Sequence, residues 1–270
     1  MTSPDATPAK KDTADYEVKD QVSYWSSRWH TGETTWRNQE RHLGDEAILS
    51  KLQQCLQVPS LDGTLEDARV FVPLCGDTPA IPLLLRLGAH VTGIDCCELA
   101  TQKLAEECTA VLGITWSTLE EKLLVGQNTT GNEVVRLYIG DLFVSAQRIP
   151  KHSFDLCYDR GSLVAILPEQ RQAYAMAVGR LMKWGAIHVS RRHGQLLRGL
   201  PPEVWSVHYV ESIYRKQSNR NTGPPFHTTL PEVSQLFLND CVRELSAPSQ
   251  EEVEGAERPF LDGRIVIYRH

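Results

Sequence analysis

Four short stretches place small, acidic or basic residues where apolar runs end: Leu74-Cys75-Gly76-Asp77, the acid Asp95, Gly140-Asp141-Leu142 and Asp159-Arg160-Gly161. An acid about 20 residues beyond a glycine-bearing turn suits the ribose hydroxyls of an adenosine, whose O–H groups it accepts. Asp95 stands in that relation to Gly76. Asp141 is placed to accept from an adenine amine. The plainer alternatives are a helix N-cap for Asp95 and a loop cap for Asp141. The first turn carries one glycine and not G-x-G-x-x-G, so the pattern gives no cradle for a pyrophosphate. Two adenosine-directed acids without a phosphate loop point to S-adenosylmethionine.

The elements that must hold these turns follow from hydrophobic period and breakers. Val70-Phe71-Val72 reads as a strand, Ala80 to Leu87 as a helix stopped by Gly88, and His90 to Ile94 as a second strand. Glu98 to Leu112 is then a helix stopped by Gly113. This is a βαβα unit of a parallel sheet. Lys122 to Val125 and Val134 to Ile139 form a hairpin about Asn128 to Asn132. Phe154 to Tyr158 is a further buried strand, and Pro168 to Met182 a helix with proline in its first turn. Two segments compete for the next strand, Ala186 to Ser190 and Val207 to Tyr214. Tyr209 to Tyr214 is preferred, which leaves about 184–206 as an insertion. Pro231 to Leu238 is a short helix. Val242 to Ser246 and Arg264 to Tyr268, joined by a loop, give an antiparallel finish. The N-terminal region supplies Trp25, Trp29 and Trp36, the first two on one face of a helix, and an amphipathic helix from Glu46 to Leu56.

The chain has 270 residues, a net charge of −6, 41% hydrophobic and 23% charged residues. Such a composition buries a core, and its acidity opposes nucleic-acid binding, which needs a basic stripe. No apolar run approaches the ~20 residues of a membrane span. Residues 1–20 read as a disordered polar tail and 21–270 as a single domain. Seven cysteines without a CxxC or zinc spacing read as reduced thiols, and no His pair has HExxH spacing, so no metal is expected. Cys75 has no patterned His or Asn partner and is not expected to be a nucleophile. The chain is expected to be cytoplasmic, monomeric and free of membrane.

Three blocks carry a resemblance: Val70-Phe71-Val72-Pro73-Leu74-Cys75-Gly76, Tyr158-Asp159-Arg160-Gly161-Ser162-Leu163-Val164-Ala165-Ile166 and Gly223-Pro224-Pro225-Phe226. Together with the Trp25, Trp29, Gly32, Trp36 spacing they resemble the thiopurine S-methyltransferase family, in family order from about residue 24 to 268. The resemblance implies an α/β fold, the Rossmann-like class I methyltransferase, with a mostly parallel doubly wound sheet and an antiparallel C-terminal strand. It also implies S-adenosylmethionine as methyl donor and S-adenosylhomocysteine as product. Carried over position by position, it places Trp25, Trp29, Leu74, Gly76, Asp95, Gly140, Asp141, Leu142 and Arg160 against the cofactor. Arg160 is also placed beside the acceptor and Trp36 at the substrate pocket, where phenylalanine is usual. At the Asp95 position glutamate is usual.

The expected activity is methyl transfer to the sulfur of a small thiol, thiopurine or aromatic, by in-line displacement. Such a reaction needs alignment, desolvation and an ionised nucleophile more than a strong base. Arg160 would stabilise the thiolate; otherwise it pairs with Asp159 or caps a helix carbonyl. The competing readings are a halide or thiocyanate methyltransferase and a non-catalytic binding module that retains the fold.

Overall fold

A computed structural model describes residues 20–34, 36–63, 65–183, 206–215, 223–256 and 260–269, with the side chains of 36–40, 43, 212 and 260 excepted. The strands are β1 (Arg69–Val72), β2 (His90–Asp95), β3 (Thr115–Glu120), β4 (Leu123–Gln127), β5 (Glu133–Ile139), β6 (Leu156–Asp159), β7 (Ser206–Arg215), β8 (Cys241–Ser246) and β9 (Phe260–Arg269). They form one nine-stranded sheet in the order β3-β4-β5-β2-β1-β6-β7-β9-β8. Strands β5, β2, β1, β6 and β7 are parallel, while β9 runs antiparallel between β7 and β8.

The helices are α1 (Gln21–Thr31), α2 (Trp36–Leu56), α3 (Ala80–Arg86), α4 (Glu98–Leu112), α5 (Leu142–Ser145), α6 (Ser162–Ala165), α7 (Arg171–Leu181), α8 (Leu230–Leu236) and α9 (Gln250–Gly255). The expected βαβα unit is present, and Gly113, in the left-handed conformation, ends α4 as its sequence position implies. One face of the sheet packs against α2, α3 and α4 through Ile48, Leu52, Ile81, Leu84 and Leu104. The other packs against α7 and α8 through Tyr174, Val178 and Val233. Runs buried on both faces are what a parallel sheet covered on both sides demands.

Several boundaries differ from expectation, each for a local reason. Asp20 belongs to the fold rather than to a tail, because its carboxylate caps α1 by accepting from the Ser23 N–H at 3.1 Å; residues 1–19 lie outside the described residues. Helix α2 begins ten residues before Glu46, in a polar stretch, and kinks at Gly44 with φ 69°. The Pro168 segment is a 3-10 turn that precedes α7. The loop between β8 and β9 contains α9, closed by a capping box of Ser249 and Glu252. Ser206, placed in the insertion by sequence, pairs with Arg269 as the first residue of β7. The preferred Tyr209 to Tyr214 segment is the strand beside β6. The competing Ala186 to Ser190, and the insertion at 184–205, lie outside the described residues. No helix among the described residues is long and apolar enough to cross a membrane.

Strand β3 was not expected at all. It is a largely exposed edge whose register with β4 is set by Trp116, which lies opposite Gly126. A Cβ at Gly126 would come within 2.5 Å of Val135 Cγ1 and 2.7 Å of Ile114 Cγ2. Gly126→Ala therefore overpacks the hairpin and is expected to cost about 1–3 kcal/mol, measured as a drop in the denaturant midpoint at unchanged slope.

Candidate active site

Because β1, β2, β5, β6 and β7 run parallel, their carboxyl ends share one edge of the sheet. The strand order reverses between β1 and β6, and a crevice opens there in a doubly wound sheet. All four turns singled out by sequence lie along this edge. Across the reversal, Ser162 Oγ donates to the Pro73 carbonyl at 2.8 Å, which ties the β1 turn to α6.

The β1 turn is built around unusual backbone. Leu74 has φ 42° although it is not glycine, and Gly76 has φ 52°. Strained non-glycine conformations of this kind persist where the surroundings over-determine them, often at ligand sites. The Cys75 N–H donates to the Ile94 carbonyl at 2.9 Å, drawing the turn against the end of β2. There Asp95, buried, accepts from the Gly76 N–H at 2.7 Å through Oδ2 and from the Cys97 N–H at 2.8 Å through Oδ1. Each oxygen keeps a further lone pair for an incoming hydroxyl. Burial pushes the Asp95 carboxyl up to about 6; the two N–H donors counter this only in part, and nearby Asp77 adds to it. Asp95 is thus not the N-cap of α4, a position held by Cys97.

Trp29 of α1 covers the turn. A Cβ built on Gly76 would lie 3.0 Å from Trp29 Cζ2 and 4.0 Å from Asp95 Oδ2, so only glycine leaves the ring its place. The ring also packs on Cys97 and Ala100 at the start of α4. Trp25 is half-buried on the same helix; its indole N–H donates to Gln21 Oε1 at 3.2 Å and its ring meets Tyr24 edge-on. The structure therefore brings Trp29, Gly76 and Asp95 together and leaves the described contacts of Trp25 on its own helix. Trp36 opens α2, its side chain outside the described residues. Arg41, one turn on, donates to the Asp77 carbonyl at 2.8 Å and pairs with Glu107 of α4 at 2.6 Å, which clamps α2 to the turn.

At the end of β5 the Gly140 N–H donates to the Asp95 carbonyl at 2.8 Å. Asp141 caps α5, its Oδ1 accepting from the Val144 N–H at 3.0 Å, so the capping alternative is the one seen. Leu142 is buried behind it.

The end of β6 sends side chains to opposite faces, as a strand must. Asp159, fully buried, points toward α7. It accepts from the Ser162 N–H at 2.7 Å and from the Tyr174 hydroxyl, and lies 3.5 Å from His208 Nε2. The Tyr174 hydroxyl is held well above its ordinary range, by burial first and then by the Asp159 charge. Arg160 faces α2. The ion pair described for it is with Glu211 rather than Asp159: Nε lies 3.5 Å from Glu211 Oε2, and Glu211 Oε1 takes Lys51 Nζ at 2.5 Å. Glu211 and Lys51 were missed by sequence reasoning, although each left a signal. Glu211 is the one acid in β7, flanked by the apolar Val207, Val210 and Ile213, and Lys51 sits among the buried positions of α2. The Gly223-Pro224-Pro225-Phe226 segment docks beside this end, the Phe226 N–H donating to the Val164 carbonyl at 2.7 Å. Buried Arg171 holds it there through the Leu163 and His227 carbonyls.

The residues fit an adenosine-bearing ligand: a buried carboxylate with spare acceptor sites for hydroxyls, and a turn where a Cβ would crowd the covering indole. No group of three or more potential ligands for a metal ion occurs among the described residues.

Comparison with known proteins agrees. The family model described as Thiopurine S-methyltransferase matches residues 20–190. The thiopurine S-methyltransferase of Equus caballus is 24% identical over 241 residues, 86% of this chain and 82% of that protein. That of Shewanella sp. (strain MR-4) is 28% identical over 197 residues, 70% and 79% of the two chains. Among solved structures, the magnesium protoporphyrin IX methyltransferase of Synechocystis PCC 6803 with bound SAM has a TM-score of 0.57 at 14% identity, covering 95% of this chain and all of the other. The N-methyltransferase of Bradyrhizobium japonicum WM9 in complex with S-adenosyl-l-homocysteine has a TM-score of 0.54 at 12% identity, covering 93% and 99%. These structures share the class I methyltransferase fold. With a family model matching residues 20–190, well over half of its length, the chain belongs to the thiopurine S-methyltransferase family.

Proposed function

We propose that this chain, an S-adenosylmethionine-dependent S-methyltransferase by family, transfers the methyl group to the sulfur of a small thiol by in-line displacement. The observation that carries the reading is the meeting of Asp95, Gly76 and Trp29 at one strand end with Arg160 across the sheet reversal. When bound, the cofactor supplies a methyl group on a positively charged sulfur, activated toward a nucleophile. Asp95 accepts the ribose hydroxyls, and Trp29 covers the β1 turn and excludes water. Leu74, Gly140 and Leu142 shape the walls around them. Asp141, with Oδ1 committed to Val144, has Oδ2 for the adenine amine. Trp25 extends the cover on α1, and Trp36 at the head of α2 borders the acceptor.

Arg160 lies where positive charge lowers the energy of a thiolate. An acidic thiol supplies that thiolate near neutral pH, so no side-chain base is required. The buried cysteines do not compete: burial drives Cys75 and Cys157 well above the ordinary thiol range and Cys55 up to about 12. The protein is read as a cytoplasmic monomer, 21–270 forming one domain, acting on small molecules without nucleic acid or membrane.

Calorimetry with S-adenosylhomocysteine and a methylation panel test this. Binding in the micromolar range and turnover of thiophenol are expected. Absence of binding at about 100 μM would sink the cofactor reading, since ligands of this class reach about −8 kcal/mol. Iodide or thiocyanate turnover exceeding that of every thiol would make the chain an anion methyltransferase. Binding without turnover of any acceptor would make it a binding module.

A further inference from the structure

The parallel register of β6 and β7 pairs Tyr158 with Tyr209 and Asp159 with Val210. Two residues beyond the tyrosines the same face carries Arg160 and Glu211. The tyrosine rings stack at 5.3 Å, and the charged pair continues the line toward the carboxyl edge. Glu211 is nearly enclosed, its side chain 13% exposed. Its two oxygens are divided: Oε1 serves Lys51 Nζ at 2.5 Å and the Tyr209 hydroxyl at 3.3 Å, and Oε2 faces Arg160 Nε at 3.5 Å. From β9, Arg264 stands opposite Glu211 in register and donates to Gln54 of α2 at 3.2 Å.

This division matters for the field. A carboxylate bidentate on Arg160 would cancel the arginine's charge. Here Lys51 takes the shorter contact and Glu211 meets Arg160 as an ion pair at the Nε edge, so that the charges of Lys51, Glu211 and Arg160 together sum to one positive. Burial works against the ionised form of Glu211, but Lys51 and Arg160 outweigh it and hold the carboxyl below its ordinary range.

We propose that Glu211 and Lys51 are a positioning pair for Arg160, which fix the guanidinium at the acceptor end of the crevice and keep the local charge positive, so that the site selects acceptors that react as anions. The proposal deepens the reading of Arg160 as the acceptor-side cation and rests on it. Neither residue touches the reacting atoms; both act through Arg160.

The test is the pH dependence of kcat at saturating thiophenol, which reads ionisation in the bound complex, in the full-length protein carrying Glu211→Gln, Lys51→Met, Lys51→Arg or Arg160→Met. Removing the negative charge of Glu211 makes the bound thiol more acidic, and removing the positive charge of Lys51 makes it less so. The two midpoints are expected to move in opposite directions, down for Glu211→Gln and up for Lys51→Met, each by about half to one unit. Lys51→Arg keeps the wild-type midpoint. Both charge-removing variants lower kcat with little change in affinity for S-adenosylhomocysteine, measured by calorimetry. A merely structural pair would lower melting temperature and rate without opposed shifts, and that outcome, or unmoved midpoints, overturns the proposal. If Glu211→Gln does not fold, the upward shift in Lys51→Met and its absence in Lys51→Arg decide alone. A slow Arg160→Met with unmoved midpoints in the others removes the positioning pair only; full turnover by Arg160→Met removes the acceptor-side reading of Arg160 as well.

Discussion

Asp95→Asn is expected to weaken S-adenosylhomocysteine binding by about 10- to 100-fold, the range set by losing hydrogen bonds to a charged group. The carboxylate accepts a backbone N–H on each oxygen. An amide has one oxygen, so either orientation sets its NH2 against the Gly76 or the Cys97 N–H, donor against donor. The same residue makes binding depend on pH in a direction the structure fixes. Asp95 in the ligand-free protein titrates at about 6, raised by burial from an ordinary 3.8. The ionised form is the one that accepts two ribose hydroxyls, so the dissociation constant rises as pH falls through about 6, approaching tenfold per unit below it. Stability of the ligand-free protein moves the other way. A folded-state value above the ordinary one means that this group favours the fold at low pH and that its contribution is lost as pH rises through about 6. Calorimetry from pH 5 to 8 checks the affinity, and melting curves with and without S-adenosylhomocysteine check the opposed trend. Asp95→Asn flattens both. A pH-independent wild-type affinity would remove Asp95 from the ribose.

Asp159→Ala carries the largest expected loss of stability. Its carboxylate is fully buried and serves the Ser162 N–H, the Tyr174 hydroxyl and, more distantly, the Leu163 N–H, with His208 alongside. Deleting it leaves several buried donors without an acceptor at once. A cost of roughly 3–5 kcal/mol follows, lowering the melting temperature by about 10 °C or more in a chain of this size. The neighbouring Arg160→Met should differ in kind, losing turnover while retaining most of the melting temperature. If the two substitutions lowered stability equally, the division of labour between the faces of β6 would be wrong.

Much of this was legible in the sequence because the chemistry sits at breaks between elements. Gly76, Asp95, Gly140 and Arg160 interrupt apolar runs, and an interruption shows in a single sequence. Strand β3 was not legible because it is an exposed edge with little apolar alternation. The first half of α2 is held by Arg41 on Asp77 and Glu107, a tertiary clamp without periodic trace. Glu211 and Lys51, 160 residues apart, became partners only through the β6–β7 register and the packing of α2 on that face. The Asp159 pairing, one of the plainer alternatives for Arg160, is not the contact described, for the same reason: it rested on adjacency in sequence, whereas alternation along a strand sends neighbours to opposite sides.

That alternation also bears on how such a protein can change over generations. Because Asp159 secures the interior on one side of β6 and Arg160 meets Glu211 and Lys51 on the other, inheritance can alter the second set without rebuilding the first. A lineage that exchanged the Glu211–Lys51 couple for another would be free to explore new nucleophiles on an unaltered chassis, and one residue of backbone is all that insulates that experiment from collapse.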